Sequence, residues 1–214
     1  MRIDHLVWYS ADLAAGEKHF SGWTDAAPTF GGAHPGQGTR NSVLSLGDAT
    51  YVEILARDPA QTGGTLDREI AGLKGQGLYH WAVGGVDLAD VAARARRAGL
   101  DASAVVSGGR HLPDGNWLSW SLVGLRRHGF GALVPFFIEF RGNHPAATAP
   151  RGGSFKGIEL FSPRAQQLGD LLGVLGLDLP VSQRDKPGVT ATLETKAGSH
   201  KLDSFDPMPR GFVI

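Results

Sequence analysis

A chain of 214 residues is long enough to bury a core without staples, as one large domain or two small ones. Its 21 basic and 21 acidic residues cancel and alternate in sign, so no stretch is built to neutralise phosphates and nucleic acid is not an expected partner. Cysteine is absent, which removes disulfides, zinc–thiolate sites and thiol nucleophiles together and leaves only nitrogen and oxygen to hold a metal.

The N-terminus, MRIDHLVWYS, carries charge where a signal peptide needs an apolar run, and no stretch reaches the ~20 apolar residues of a membrane span. The expectation is a cytoplasmic protein without a membrane partner. Residues 3–9 form a short apolar strand ending at Ser10-Ala11-Asp12, a helix-start signal, after which Leu13, Phe20 and Trp23 recur at helical spacing. Residues 30–38, FGGAHPGQG, read as a loop holding at most one short strand, and residues 40–46 and 50–56 read as a hairpin about Gly47-Asp48. A linker helix over residues 66–73 follows.

The order then repeats. Residues 78–83 predict a strand, and Asp87 caps a helix whose stripe is Leu88, Val91, Ala92, Ala95 and Ala98, with Arg94, Arg96 and Arg97 on a solvated face. Residues 105–111, the turn Pro113-Asp114-Gly115, a strand over 118–123 and an apolar strand over 134–140 complete it. The two halves repeat with a period of about 75 to 80 residues. Residues 155–161, 163–175 and 189–195 predict a strand, a helix and a strand of a shortened third unit. The expected fold class is α+β: two βαβββ modules over residues 1–62 and 63–145 around a cup-shaped, partly open mixed sheet, with a βαβ-like extension over 146–214.

Alternation along a strand puts His5 on one face with Ile3 and Val7, and Glu53 with Tyr51 and Leu55. In the second half it puts His80 with Leu78 and Ala82, and Glu139 with Phe137 and Arg141. A carboxylate set among apolar strand residues is costly to bury unless paired or bound to a metal. His5, Glu53, His80 and Glu139 therefore read as ligands of one divalent metal, an N₂O₂ set suited to Zn, Ni, Co, Mn or Fe, with open positions for substrate. The alternative is two core histidines and two ion pairs, such as Glu53 with Arg40 and Glu139 with Arg141.

Beside these, His34 in the glycine-rich loop reads either as a proton-transfer or substrate-binding group or as a turn-stabilising side chain. Arg40 and Asn41 are candidates to anchor a substrate carboxylate or carbonyl, Arg110 and His111 are rim contacts, and Trp117 and Trp120 are candidate wall residues. Trp8 and Trp81 fall on the opposite strand face and read as core. His19, His128, His144 and His200 read as surface residues.

His in the first strand and Glu in the last of each module resembles the vicinal-oxygen-chelate superfamily, over residues 1–142. The pattern is most similar to glyoxalase I, and the phrases GGAHPGQGTRN, YVEILA and HLPDGNWLSW resemble a bacterial glyoxalase-like branch. The resemblance implies a metal-dependent isomerase, epimerase or lyase on a small carbonyl or hydroxy-carbonyl substrate, with an enolate held by the metal and Glu139 or Glu53 as base. It also implies two alternatives: a metal-free protein sequestering an apolar ligand, and an Fe(II) ring-cleaving dioxygenase, which the second carboxylate disfavours. A homodimer with a shared site is a further expectation, because in some relatives the modules pair between chains.

Overall fold

The computed structural model describes residues 1–214 except Asp48, Thr62 and Val213, so Asp48 of the predicted turn lies outside the described residues. In chain order the first half contains β1 (Arg2–Ser10), α1 (Leu13–Ser21), β2 (Thr29–His34), β3 (Thr39–Ser45) and β4 (Tyr51–Arg57), followed by the linking helix α2 (Thr65–Ile70). The second contains β5 (Gln76–Gly84), α3 (Leu88–Arg97), the short β6 (Asp101–Ala102), β7 (Val106–His111), β8 (Trp117–Val123), the short β9 (Leu125–Arg126) and β10 (Phe136–Arg141). Then come α4 (Pro145–Thr148), β11 (Ser154–Ser162), α5 (Ala165–Val174), β12 (Val181–Gln183), β13 (Gly188–Thr195) and β14 (Gly198–Asp203).

The fold is α+β and mostly sheet, curved into a nearly closed cup. Its wall is one eight-stranded sheet in the order β2-β3-β4-β1-β5-β10-β8-β7. The halves join where β1 runs antiparallel to β5, and each of these lies parallel to the last strand of its own half, β4 or β10. The glycine-rich stretch holds one short strand, β2, and continues as a turn over residues 35–38; its small residues let the edge strands β2 and β7 approach. At Gly32, with φ +137°, a Cβ would lie 2.9 Å from the His111 carbonyl oxygen of β7.

The convex face carries the main core. Leu6 and Trp8 of β1, Val52 and Ile54 of β4 and Trp81 and Val83 of β5 pack there against Leu13 and Phe20 of α1 and against Leu88, Val91, Ala92 and Ala95 of α3, whereas Ala98, expected in the same stripe, caps the helix and is exposed. Trp8 and Trp81 are core, as alternation indicates. Asp12 and Asp87 cap α1 and α3, each accepting a backbone N–H two residues on. The C-terminal unit has more sheet than expected, a four-stranded β12-β11-β13-β14 whose Leu160, Ala191 and Leu193 join the same core.

Two β-bulges in the central pair set the site. The β1–β5 register slips between Ile3 and His5, leaving Asp4 as the extra residue, and again between Val7 and Trp8, where Tyr79 is extra. Ile3 therefore packs with the convex core while His5 and Val7 face inward, and Leu78 packs convex while His80 does not. The expected grouping of Ile3 with His5, and of Leu78 with His80, is corrected by these bulges. Among the described residues no helix is long and apolar enough to cross a membrane.

Candidate functional site

The concave face encloses a cavity of about 490 Å³, into which His5, His34, Asn41, Tyr51, Glu53, Leu55, Arg110, Trp120, Phe136, Ile138 and Phe140 project, with Phe212 and Ile214 at the rim. Its walls are largely apolar, and its polar groups come from β1, β2, β3, β4 and β7.

His5 is positioned by a chain of hydrogen bonds that begins outside the cavity. His144 caps α4 by accepting the Ala146 N–H at Nδ1 (3.2 Å), which leaves its Nε2–H to donate to Asp4 Oδ2 (2.9 Å). Asp4, 1% exposed, accepts His5 Nδ1–H at its other oxygen (2.9 Å), and Arg2 lies 3.6 Å away. Burial pushes the Asp4 carboxyl up, yet the hydrogen bonds from His144 and His5 outweigh it and hold it at about 2. The fixed tautomer directs His5 Nε2 into the cavity, 3.7 Å from Glu53 Oε2. The His5 ring is also clamped, stacked on Tyr51 at 4.7 Å between centroids and met edge-on by Phe136 at 5.4 Å.

Glu53 accepts the Asn41 side-chain N–H at Oε1 (2.6 Å). That amide also faces His34 Nε2 at 3.3 Å, so His34 accepts there and its Nδ1–H meets Thr39 Oγ1 at 2.9 Å. Burial drives the His34 pKa down against the opposing pull of Glu53, so the ring is neutral. His34 orients Asn41, and Asn41 orients Glu53.

The structure brings together His5, Glu53, His34, Asn41, Arg110 and Trp120 and separates the other predicted residues. Arg40 does not line the cavity. His80 has both ring nitrogens engaged, Nε2 with the Val134 carbonyl (2.9 Å) and Nδ1 with the Phe212 N–H (3.1 Å), beneath the backbone of Gly211. Glu139 shares the face of Phe137, which is the convex face, and its Oε1 accepts the Val86 N–H at 2.8 Å. The inward residues of β10 are Phe136, Ile138 and Phe140, so the correspondence between Glu53 and Glu139 is wrong by one residue of alternation.

The four-ligand metal set is therefore not formed. His5 and Glu53 face the cavity, but His34 Nε2 is turned to the Asn41 amide, and among the described residues no group of three or more His, Asp or Glu is arranged to hold a metal ion. The donors present do not fit the expected cofactor. Asp4 and His144 were missed. Asp4 was hidden by the bulge, and the only sequence signal for His144 was its place before Pro145, where a capping residue stands.

Residues 3–175 match the family model described as a glyoxalase-like domain. The chain belongs to the glyoxalase-like domain family. Its cup is shared with a hypothetical protein from Staphylococcus aureus, 16% identical, over 93% of this chain and 84% of that one, with a TM-score of 0.65. Methylmalonyl-CoA epimerase from Mycobacterium tuberculosis is 16% identical over 66% of this chain and 87% of its own, with a TM-score of 0.45. A mutant of 4-hydroxymandelate synthase from Streptomyces coelicolor is 19% identical over 94% of this chain and 62% of its own, with a TM-score of 0.49. No curated protein matches the chain. Within this glyoxalase-like protein the cavity takes most of its polar side chains from β1 to β4 of the first half, with Arg110 of β7 added from the second.

Proposed function

We propose that this glyoxalase-like protein is an isomerase, epimerase or lyase that moves a proton next to the carbonyl group of a small substrate, using Glu53 and His5 as its acid–base pair. The observation that carries the reading is the pair itself: His5 Nε2 and Glu53 Oε2 lie 3.7 Å apart in an apolar cavity, each fixed from behind by a buried partner, Asp4 or Asn41. A residue with no chemistry to perform does not require a buried carboxylate to set its tautomer.

Glu53 Oε2 takes the proton as the C–H bond breaks, and the electron pair moves to the carbonyl oxygen. In this scheme His5 acts in its doubly protonated form, its Nδ1–H held by Asp4, and donates the Nε2 proton to that oxygen, so the intermediate is an enol and not a free enolate. Return of the proton to the neighbouring carbon isomerises, return to the opposite face epimerises, and expulsion of a β-substituent eliminates. The apolar walls exclude water from the intermediate and strengthen each hydrogen bond to it.

The test is solvent deuterium exchange, followed by proton NMR over a panel of ketones, hydroxy-ketones and keto acids, with a chelator present throughout. Wild-type protein is expected to wash deuterium into the position next to the carbonyl, and Glu53→Gln to slow this by about 10² to 10⁴. Panel members that bind without exchanging would support instead a sequestering protein, the reading favoured by the inward Phe136, Ile138 and Phe140.

A further inference from the structure

Arg110 is 3% exposed and lines the cavity, yet among the described residues no carboxylate lies within ion-pair distance of it and its buried Nη1 has no hydrogen-bond partner. Burying a cation without a counter-ion is among the costliest arrangements a fold can hold, and one that lines a cavity is satisfied by the anion that enters. Beside it stands a second unsatisfied group. Asn41 is also 3% exposed, and because its amide nitrogen is committed to Glu53, its Oδ1 is identified as the oxygen, which is buried without a donor.

The two groups stand together against β2: a Cβ at Gly31 would lie 2.5 Å from Asn41 Oδ1 and 2.9 Å from Arg110 Nη2, and one at Gly32 would lie 2.7 Å from Arg110 Nη1, so glycine at both positions leaves room for the guanidinium beside the amide. Burial lowers the pKa of Arg110 while Glu53 and Tyr51 raise it, and a guanidinium keeps its proton under either influence. The site thus offers a fixed cation that donates to two oxygens side by side and, close to it, a lone acceptor that needs an O–H or N–H.

We infer that the ligand is a small organic acid bearing a hydroxyl on the carbon next to its carboxylate, the carboxylate held by Arg110, the hydroxyl donating to Asn41 Oδ1, and an apolar substituent lying against Ile138, Phe140 and Leu122. The inference rests on the cavity being the substrate site of the acid–base reading, but recognition by Arg110 is separable from proton transfer. Placed this way, the hydroxyl-bearing carbon stands beside Glu53, whose Oε1 is already bonded to the same asparagine.

The experiment is calorimetric titration with three six-carbon probes, 2-hydroxyhexanoate, hexanoate and 1,2-hexanediol, on wild type and on Arg110→Met. Wild type is expected to bind 2-hydroxyhexanoate at least tenfold more tightly than the diol and about threefold more tightly than hexanoate. Arg110→Met is expected to erase the advantage of the acids over the diol while its melting temperature stays at or above wild type, because an unpaired buried charge has been replaced by an apolar chain of similar length. Equal binding of acid and diol by wild type, or an acid preference that survives in Arg110→Met, overturns the inference. So does a melting temperature that falls on substitution, since it would mean that the protein itself satisfies the charge. Acid binding with no deuterium exchange would remove the catalytic reading alone.

Discussion

The sharpest consequence of the structure lies at Asp4, a residue that does not line the cavity. Asp4→Asn keeps the shape but replaces a carboxylate that accepts from both His5 and His144 with an amide that can accept from only one of them. A hydrogen bond to a charged group contributes about 1.5 to 3 kcal/mol, so loss of one, with the other weakened, is expected to cost about 2 to 4 kcal/mol at pH 7. The pH dependence gives an independent check. With a folded pKa of about 2 against the ordinary 3.8, the Asp4 carboxylate contributes roughly 2 kcal/mol above pH 5. A depressed acid loses its contribution as pH falls, because the unfolded chain takes up the proton first; about half should be gone by pH 3 and nearly all below pH 2. Urea unfolding of wild type and Asp4→Asn at pH 7, 4 and 3 measures both. The stability gap should narrow by about 1 kcal/mol between pH 7 and pH 3, and deuterium exchange at pH 7 should fall by at least tenfold with the tautomer of His5 released. A gap that stays constant with pH, or below 0.5 kcal/mol throughout, would refute the relay.

Glu139→Gln retains an acceptor for the Val86 N–H and should leave exchange within twofold of wild type, whereas a hundredfold loss would return Glu139 to the site. Burial holds His80 neutral, its pKa lowered to about 4 despite the bond to Val134, so the unfolded chain binds more protons below pH 6.5 and stability should fall by roughly 3 kcal/mol between pH 7 and pH 4; His80→Gln should flatten that slope in a denaturation series. Adding Zn, Ni, Co, Mn or Fe to chelator-treated protein should move the melting temperature by less than about 1 °C, and a rise of several degrees would show that the donors assemble a metal site after all. Gly32→Ala, strained at φ +137° and crowded by the His111 carbonyl, should cost about 1 to 3 kcal/mol and open the seam between β2 and β7, read as faster amide exchange there.

The repeated order of elements, the caps at Asp12 and Asp87 and the stripe of α3 were legible because they rest on local periodicity and on side chains that serve their own backbone. Half of the site was legible for the same reason: β4 alternates without interruption, so Glu53 faces inward with Tyr51 and Leu55. The rest was lost where period two breaks. A bulge is a property of two paired strands, and nothing local in MRIDHLVWYS marks Asp4 as the extra residue that brings two neighbouring side chains to one side. Glu139 failed differently. Its alternation was correctly read, with Phe137 and Arg141 as companions, but which face of β10 turns inward depends on how β10 registers against β5 and β8, and a shift of one residue exchanges the two faces.

That asymmetry has a chemical logic. Two similar halves that each supplied a His and a Glu would enclose four ligands, whereas here β10 turns Phe136, Ile138 and Phe140 inward opposite the polar strands of the first half. His80, the counterpart of His5, is spent on the Val134 carbonyl and the Phe212 N–H of the C-terminal segment. Proton transfer by side chains gains from this division. On the reading proposed above, the apolar strand β10 lowers the local dielectric around His5 and Glu53 and would accommodate the carbon portion of a ligand whose polar end meets Arg110 and Asn41. A cup with polar groups all round would hold its substrate in several orientations. One with a single polar wall holds it in one, which is what moving a proton between defined atoms requires.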